Sequence, residues 1–252
     1  GATGFVGHAC VATLLGAGEM VACTVRAHSN THALRRLTPA ATILHGPLHD
    51  RDALASAFSG CGEVVNCAAR AIDWGSSAEF QRDNVAGTIN VIEAAARAGV
   101  SHVVHLSTAN AGGYGYRNMD ESIRGIRASS SYSRSKAAAE HAARVCAARS
   151  GVGLTILRPS AVYGPGDRRW TFPMLKRIDA GTWALIDRGR ALLTPLYIDN
   201  LTQGVMMALE RRMCGTFILT DDVTVSWRQF TDGCKRALGV SGATRSVPYV
   251  LA

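Results

Sequence analysis

Short apolar runs alternate with helix-like stretches through the first two-thirds of this 252-residue chain. The apolar runs favour buried strands and lie at Met20–Val25, Thr42–Leu44, Glu63–Cys67, His102–Leu106 and Leu154–Leu157. The stretches between them favour helices and lie at Phe5–Leu15, Ala53–Phe58, Val85–Ala98 and Ser133–Ala148. Such alternation is typical of βαβ crossovers, so it predicts an α/β fold: a doubly wound parallel sheet with helices on both faces.

The alternation fades after residue 158. Helices are predicted at Trp170–Gly181 and Asn200–Arg211, with short strands near Trp183–Ile186, Leu196–Ile198 and Thr216–Leu219. We therefore predict a main domain over residues 1–158 and a smaller C-terminal lobe over residues 159–252, interleaved with the first.

A glycine-rich turn, GATGFVG, opens the chain, and no hydrophobic run precedes it. The first strand of a doubly wound sheet comes directly before such a turn. We therefore expect that strand to be missing from this chain, and the C-terminal lobe to be incomplete as well.

The composition argues against several classes of protein. The net charge is +8, but there is no run of five Lys or Arg, which argues against a nucleic-acid surface. The charge-free stretch of residues 1–18 contains five glycines and does not predict a membrane span. The seven cysteines are odd in number and include no Cys-x-x-Cys pair. They predict reduced thiols in a cytoplasmic protein without a metal site.

The spacing of Gly1, Gly4 and Gly7 lets backbone N–H groups approach a pyrophosphate at a helix N-terminus. A plain tight turn would have the same glycines. A fold that selects NAD places Asp or Glu at the end of the next strand, where this chain has Val25 followed by Arg26. Arginine grips a 2′-phosphate, so NADP(H) is the predicted cofactor and NAD stays open, as does a surface role for Arg26.

Tyr132 and Lys136 are four residues apart in SYSRSK, at the start of a predicted helix. Residues at this spacing share one helix face. An ammonium near a phenol favours the phenolate and lowers its pKa from about 10, which suits an acid/base catalyst near neutral pH.

Ser107 and Thr108 follow the predicted strand HVVHL. A hydroxyl at the carboxyl edge of a parallel strand lies where doubly wound sheets bind ligands, and it can polarise a carbonyl. The same two residues could simply begin a loop.

Six segments together resemble the extended short-chain dehydrogenase/reductases, also called the NAD-dependent epimerase/dehydratase family. The segments are GATGFVG, NVAGTINVIEAA, HLST, YSRSK, ILRPSAVYGPGD and LYIDNLTQGVMMALE, in family order. Within the family, the chain resembles most the branch of 3β-hydroxysteroid dehydrogenases, dihydroflavonol-type reductases and hopanoid-associated epimerase-like proteins. The resemblance implies a Rossmann-type NAD(P)-binding domain and a substrate-binding lobe.

The resemblance also implies roles by position. Tyr132 is the expected acid/base, Lys136 its ribose-binding partner, and Thr108 the hydroxyl that polarises the carbonyl, with Ser107 as the fallback. The remaining positions are expected to line the cofactor: Gly1, Gly4, Phe5, Val6, Gly7, Leu48, Ala68, Ala69, Asn84, Pro159 and Ser160.

Two departures from the family pattern bear on function. The family usually has Asp after the glycine that ends the third strand, but here Gly46 is followed by Pro47, which leaves adenine contact to the backbone of Leu48. Sugar 4,6-dehydratases carry Asp-Glu after the threonine, whereas this chain has Ala109-Asn110, which argues against dehydration.

Three functions stay open. The favoured one is an oxidoreductase that interconverts a secondary alcohol and a ketone by hydride transfer. The alternatives are a nucleotide-sugar epimerase and a non-catalytic dinucleotide sensor. The predicted partner is a small-molecule substrate of unidentified class, contacted by the loop Ala111–Ser131 and the small lobe; homodimerisation stays open.

Overall fold

The computed structural model describes residues 1–37, 42–72, 74–113, 118–123 and 130–249. Its α-helices are α1 Phe5–Gly16, α2 His32–Leu37, α3 Arg51–Ala57, α4 Ser77–Phe80, α5 Gly87–Arg97, α6 Ser131–Ser150, α7 Thr171–Asp179, α8 Ile198–Arg211 and α9 Trp227–Leu238. Its first six strands are β1 Ala22–Val25, β2 Thr42–His45, β3 Glu63–Asn66, β4 His102–Leu106, β5 Gly153–Pro159 and β6 Ala161–Tyr163. The others are β7 Ala184–Ile186, β8 Leu192–Leu193, β9 Pro195–Tyr197, β10 Gly215–Leu219, β11 Val225–Ser226 and β12 Arg245–Val247. A π-helical segment, Gln81–Ala86, joins α4 to α5.

Each strand and helix predicted from the alternation is present, with boundaries shifted by up to two residues. The prediction missed α9, although its start carries a readable signal. Ser226 and Gln229 form a capping box, in which the side chain of each bonds the backbone N–H of the other. These capping residues therefore indicate a helix in the C-terminal lobe that the alternation of apolar runs and helix-like stretches does not reveal.

The strands of the main domain are parallel, as predicted. They form a four-stranded sheet in the order β10-β5-β4-β3 and a separate pair, β1-β2. All five residues of β4 are buried, which requires cover on both faces of the sheet.

Helices provide that cover. Side chains of α3, α5 and α6 pack against β3, β4 and β5, and Leu54, Ile92 and Ala143 are completely buried among them. The helix α8 packs against β10, because a Cβ added to Gly204 would lie 2.9 Å from Leu219 Cδ1. The doubly wound α/β fold is confirmed.

The chain divides into two compact units. The first comprises Gly1–Pro159 and Leu201–Leu219, and the second comprises Ser160–Asn200 and Thr220–Ala252. The sequence-based division at residue 158 assigned the segment Leu201–Leu219 to the C-terminal lobe, whereas the structure groups this segment with the first unit. It belongs to the first unit because β10 pairs with β5 along its whole length.

The second unit has short two-stranded sheets, β6-β9, β8-β11 and β7-β12. Its aliphatic core includes Met174, Ile178 and Leu185, each 2–3% exposed. Edge-to-face contacts join Tyr163 to Tyr197 and Phe230, with ring centroids 5.4 and 5.3 Å apart.

Among the described residues, no helix is both long and apolar enough to cross a membrane. The same residues contain no group of three or more His, Cys, Asp or Glu arranged to hold a metal ion.

Candidate active site

The glycine turn leads directly into α1. Gly4 is the N-cap residue of this helix, and no side chain caps the helix or places an acidic group in its first turn. A side chain at Gly7 would collide with the Gly1 carbonyl oxygen, so only glycine allows this close approach. Because the N–H groups of Phe5, Val6 and Gly7 come at the positive end of the helix dipole, the turn is suited to an anion.

The loop after β3 lies against the glycine turn. A Cβ added to Gly1 would be 2.5 Å from Ala68 N, so the two backbones touch. The Ala68 N–H donates to Asn66 Oδ1 at 3.1 Å, and the Asn66 amide contacts His105 Nδ1 at 3.1 Å. These bonds fix the start of the segment Ala68-Ala69, which the resemblance placed beside the cofactor.

Two neighbouring residues at the end of β1 differ in the exposure of their side chains. Val25 is buried in a small cluster with Val11 and Leu34, whereas Arg26 is exposed. The backbone N–H of Arg26 donates to Ser29 Oγ at 3.2 Å, which stabilises the turn after the strand. The guanidinium of Arg26 is therefore the group that this strand end presents to solvent.

Lys136 lies one helical turn after Tyr132 in α6, beside the carboxyl end of β4. Its ammonium is buried and donates to the Leu106 carbonyl at 2.7 Å. Burial lowers the pKa of Lys136 to about 8, while the negative charge of Glu140 opposes this shift. Tyr132 is half-buried in the first turn of the same helix.

The hydroxyls of Ser107 and Thr108 face different surroundings. Ser107 Oγ donates to Glu140 Oε1 at 2.6 Å and so cannot donate to a second acceptor at the same time. Thr108 Oγ1 accepts the Asn110 N–H at 3.3 Å as the cap of a short 3-10 turn, which leaves its own proton uncommitted in that bond. This difference favours Thr108 over Ser107 as a donor to a substrate carbonyl.

Glu140 and Arg158 form a buried ion pair behind these hydroxyls, each with a side chain 1% exposed. Arg158 Nε and Nη2 donate to the two oxygens of Glu140 at 2.9 and 2.8 Å. Burial alone would raise the pKa of Glu140, but the hydrogen bonds of Arg158 and Ser107 lower it below its usual value. Sequence reasoning missed this pair, although Glu140 follows Tyr132 and Lys136 at four-residue spacing on one helix face.

Two other predicted cofactor residues are held by protein groups. The Leu48 carbonyl accepts Asn90 Nδ2 at 2.7 Å, and its side chain lies against Gly87. Asn84, 1% exposed, bonds the backbone of Arg70 through its carboxamide. Their contacts with a cofactor stay a prediction.

Pro159 ends β5 in the first unit, and Ser160 begins the second. The Ser160 Oγ is buried and has no hydrogen-bond partner within the part of the chain that the structure describes. Of the predicted loop Ala111–Ser131, residues 114–117 and 124–129 lie outside the described residues.

The glycine turn, the loop after β3, the end of β4 and the first turns of α6 thus meet at one edge of the parallel sheet. This combination of fold and site is typical of dinucleotide-dependent enzymes that act at alcohol carbons. The model of the NAD dependent epimerase/dehydratase family matches residues 1–216, and the chain belongs to this family. It is an NAD(P)-dependent enzyme.

Two relatives place the chain within the family. It is 28% identical over 255 residues to 4-hydroxy-2-methyl-3-oxo-4-farnesyl-3,4-dihydroquinoline-1-oxide ketoreductase of Stigmatella aurantiaca, covering 99% of this chain and 75% of that one. It is 31% identical over 222 residues to 3 beta-hydroxysteroid dehydrogenase/Delta 5-->4-isomerase of Mycobacterium tuberculosis, covering 82% of this chain and 58% of that protein. The resemblance to the 3β-hydroxysteroid dehydrogenase branch is thereby confirmed.

A solved structure has the same fold. The dTDP-glucose 4,6-dehydratase of Streptomyces venezuelae, with NAD bound, superimposes with a TM-score of 0.86 over 98% of this chain and 83% of its own. The two sequences are 24% identical, so this likeness shows the fold alone.

The residues present fit a bound dinucleotide. The glycine turn has the close backbone approach and the uncapped helix N-terminus that a pyrophosphate requires. No described side chain of that first helical turn carries a negative charge that would repel it.

Proposed function

We propose that this protein is an NADP(H)-dependent oxidoreductase that interconverts a secondary alcohol and a ketone on a large apolar substrate. In this proposal the first unit binds the dinucleotide and the second unit binds the substrate. The observation that carries the proposal is the arrangement of Tyr132 and Lys136 one turn apart, with the Lys136 ammonium fixed on the Leu106 carbonyl.

The bound dinucleotide would supply the hydride. In ketone reduction, Tyr132 gives its phenolic proton to the carbonyl oxygen, and in alcohol oxidation it takes that proton back. Lys136 lowers the pKa of the phenol and binds ribose hydroxyls, while the Thr108 hydroxyl donates to the same carbonyl oxygen. The glycine turn holds the pyrophosphate.

The two relatives support the substrate class by their names alone. One reduces a ketone in a molecule with a farnesyl chain, and the other is named for a hydroxysteroid. Both substrates are large and mostly apolar, and both names include oxidation or reduction at an oxygen-bearing carbon.

Epimerisation of a nucleotide sugar is the second candidate, because the family description includes epimerases. An epimerase oxidises and re-reduces the same carbon, so the dinucleotide shows no net change. The two proposals therefore differ in whether the cofactor is consumed.

The test is net oxidation of NADPH by the protein with three classes of substrate: steroidal ketones, alkyl 3-oxo acids and, as the comparison, UDP- and dTDP-sugars. We expect stoichiometric NADPH loss with at least one apolar ketone. Sugar conversion without net NADPH change, and no turnover of any ketone, would replace the proposal with the epimerase.

Cofactor choice depends on Arg26. We expect NADPH to bind at least about tenfold more tightly than NADH at low ionic strength, because charge-assisted hydrogen bonds to a 2′-phosphate contribute roughly 1.5–3 kcal/mol each. Salt screens this exposed guanidinium, so the ratio should fall as ionic strength rises.

The discriminating variant is Arg26→Asp, since a carboxylate at Val25 would lie in the core rather than at the ribose. We expect this variant to bind NADH more tightly than NADPH in fluorescence titrations. Arg149→Asp makes the same charge change at an exposed position in the last turn of α6 and should leave the ratio unchanged. Equal affinities in the wild type would mean that Arg26 is only a surface residue.

A further inference from the structure

Both polar atoms of the Asn84 carboxamide form hydrogen bonds with protein groups. Its Oδ1 accepts the Arg70 N–H at 2.6 Å, and its Nδ2 donates to the Arg70 carbonyl at 3.2 Å and to Ser135 Oγ at 2.8 Å. The acceptor and both donor hydrogens of the amide are thus engaged. Asn84 is 1% exposed and Ser135 is 6% exposed, so water does not compete for these bonds.

Each end of this network reaches one side of the candidate site. Arg70 follows Ala68-Ala69 in the loop that touches the glycine turn. Ser135 Oγ donates to the Tyr132 carbonyl at 2.7 Å, within the first turn of α6. A chain of hydrogen bonds therefore runs from the loop beside the glycine turn, through one amide and one hydroxyl, to the backbone of the residue that bears the phenol.

The backbone around Asn84 is unusual. Asn84 lies in the π-helical segment Gln81–Ala86, and such segments are rare and often mark functional sites. The Asn84 carbonyl accepts the side-chain hydroxyl of Thr88 at 2.6 Å, which satisfies a backbone group within this irregular turn. The side chain of Arg70 also forms ion pairs with Asp83 in this segment and with Glu79 in α4. These ion pairs attach the loop after β3 to both elements, in addition to the hydrogen bonds of Asn84.

We propose that Asn84 is a positioning residue that couples the dinucleotide-binding loop to Tyr132 through Ser135. The bonds from Asn84 to Arg70 hold the loop after β3, which forms one wall of the cofactor site. The bond from Asn84 to Ser135 holds the first turn of α6, which carries the phenol of Tyr132. The proposal deepens the proposed function, on which it depends for the role of Tyr132. Its mechanism requires no direct contact between Asn84 and the cofactor.

Two variants separate the link to the loop from the link to the helix, and two further variants serve as controls. Ser135→Ala removes the hydroxyl that links Asn84 to the Tyr132 carbonyl and leaves both bonds to Arg70 in place. Asn84→Asp keeps the size and the acceptor for the Arg70 N–H but removes both donated bonds. Ser135→Thr restores a hydroxyl, and Ser150→Ala removes one at the other end of α6, where it binds the Cys146 carbonyl.

Both readouts work without substrate, so a failure to find ketone turnover would end the proposed function and leave this test intact. The first is the dissociation constant of the dinucleotide. The second is the ¹⁹F signal of Tyr132 in protein labelled with 3-fluorotyrosine, assigned by its loss in Tyr132→Phe. A change that only lowers the free energy of unfolding would leave this signal in place while the protein stays folded.

We expect Ser135→Ala to shift the Tyr132 signal, with dinucleotide affinity within about twofold of wild type, and Ser135→Thr to restore the signal. Asn84→Asp should weaken dinucleotide binding roughly tenfold, as expected for a buried amide that loses its partners, and should shift the signal as well. Ser150→Ala should change neither. An unmoved Tyr132 signal in Ser135→Ala overturns the proposal, and so does wild-type dinucleotide affinity in Asn84→Asp.

Discussion

The Tyr132→Phe variant is expected to lose roughly two to four decades in kcat for ketone reduction, because it removes the only proton that the ring can donate. The ring itself remains, so the half-buried position in the first turn of α6 stays filled. We therefore expect the free energy of unfolding and the affinity for the dinucleotide to stay near the wild-type values. Steady-state kinetics and a fluorescence titration measure the two effects separately.

Tyr249→Phe is the matched control, because Tyr249 is 81% exposed. It should keep full activity. Full activity in Tyr132→Phe as well would show that another group transfers the proton.

Arg158→Met is expected to lower the free energy of unfolding by about 3–5 kcal/mol. The change removes two of the hydrogen bonds to Glu140 and leaves a buried carboxylate with less compensation. Arg158 also donates to the carbonyls of Glu121 and Ile123 at 3.4 and 3.0 Å, so the segment 118–123 loses its attachment to β5.

The difference between this variant and wild type should depend on pH. The pKa of Glu140 is lowered in the folded protein, so its charge stabilises the fold above the carboxyl pKa of the unfolded chain, about 4.3. That contribution is lost as the pH falls through the lower, folded value. We therefore expect the difference in the free energy of unfolding between Arg158→Met and wild type to narrow as the pH falls through this acid range.

Chemical denaturation followed by far-ultraviolet circular dichroism measures this gap. Arg190→Met is the control, because Arg190 pairs with Asp187 at the surface, where the side chains are 71% and 47% exposed. Such a surface pair contributes little to stability, so this variant should stay close to wild type. Equal losses in the two variants would mean that the Glu140–Arg158 pair contributes no more than a surface contact.

The sequence alone predicted the parallel sheet and the positions of its strands and helices along the chain, because both follow from local patterns. A short, mostly apolar run indicates a buried strand, as in HVVHL, and a glycine that adopts positive φ often follows the end of a helix. Gly99 and Gly151 have φ of 75° and 73° just after α5 and α6.

The tertiary structure decided what the patterns left open. Whether Ser107 or Thr108 has a proton to donate depends on Glu140, which is 33 residues from Ser107 in sequence. Whether the side chain of Val25 or that of Arg26 is exposed at the end of β1 depends on the packing of α1 and α2 against β1. The hydrogen-bond partners of the Asn84 carboxamide depend on the π-helical segment Gln81–Ala86, which the spacing of apolar residues in the sequence does not predict.

The sequence by itself predicted which residues carry chemistry and the edge of the sheet at which they lie, because strand direction and helix spacing are local properties. Only the tertiary structure determined which of those groups are already committed to one another. A hydrogen bond between residues such as Asn84 and Ser135, 51 positions apart, exists only once the helices and loops that carry them have packed.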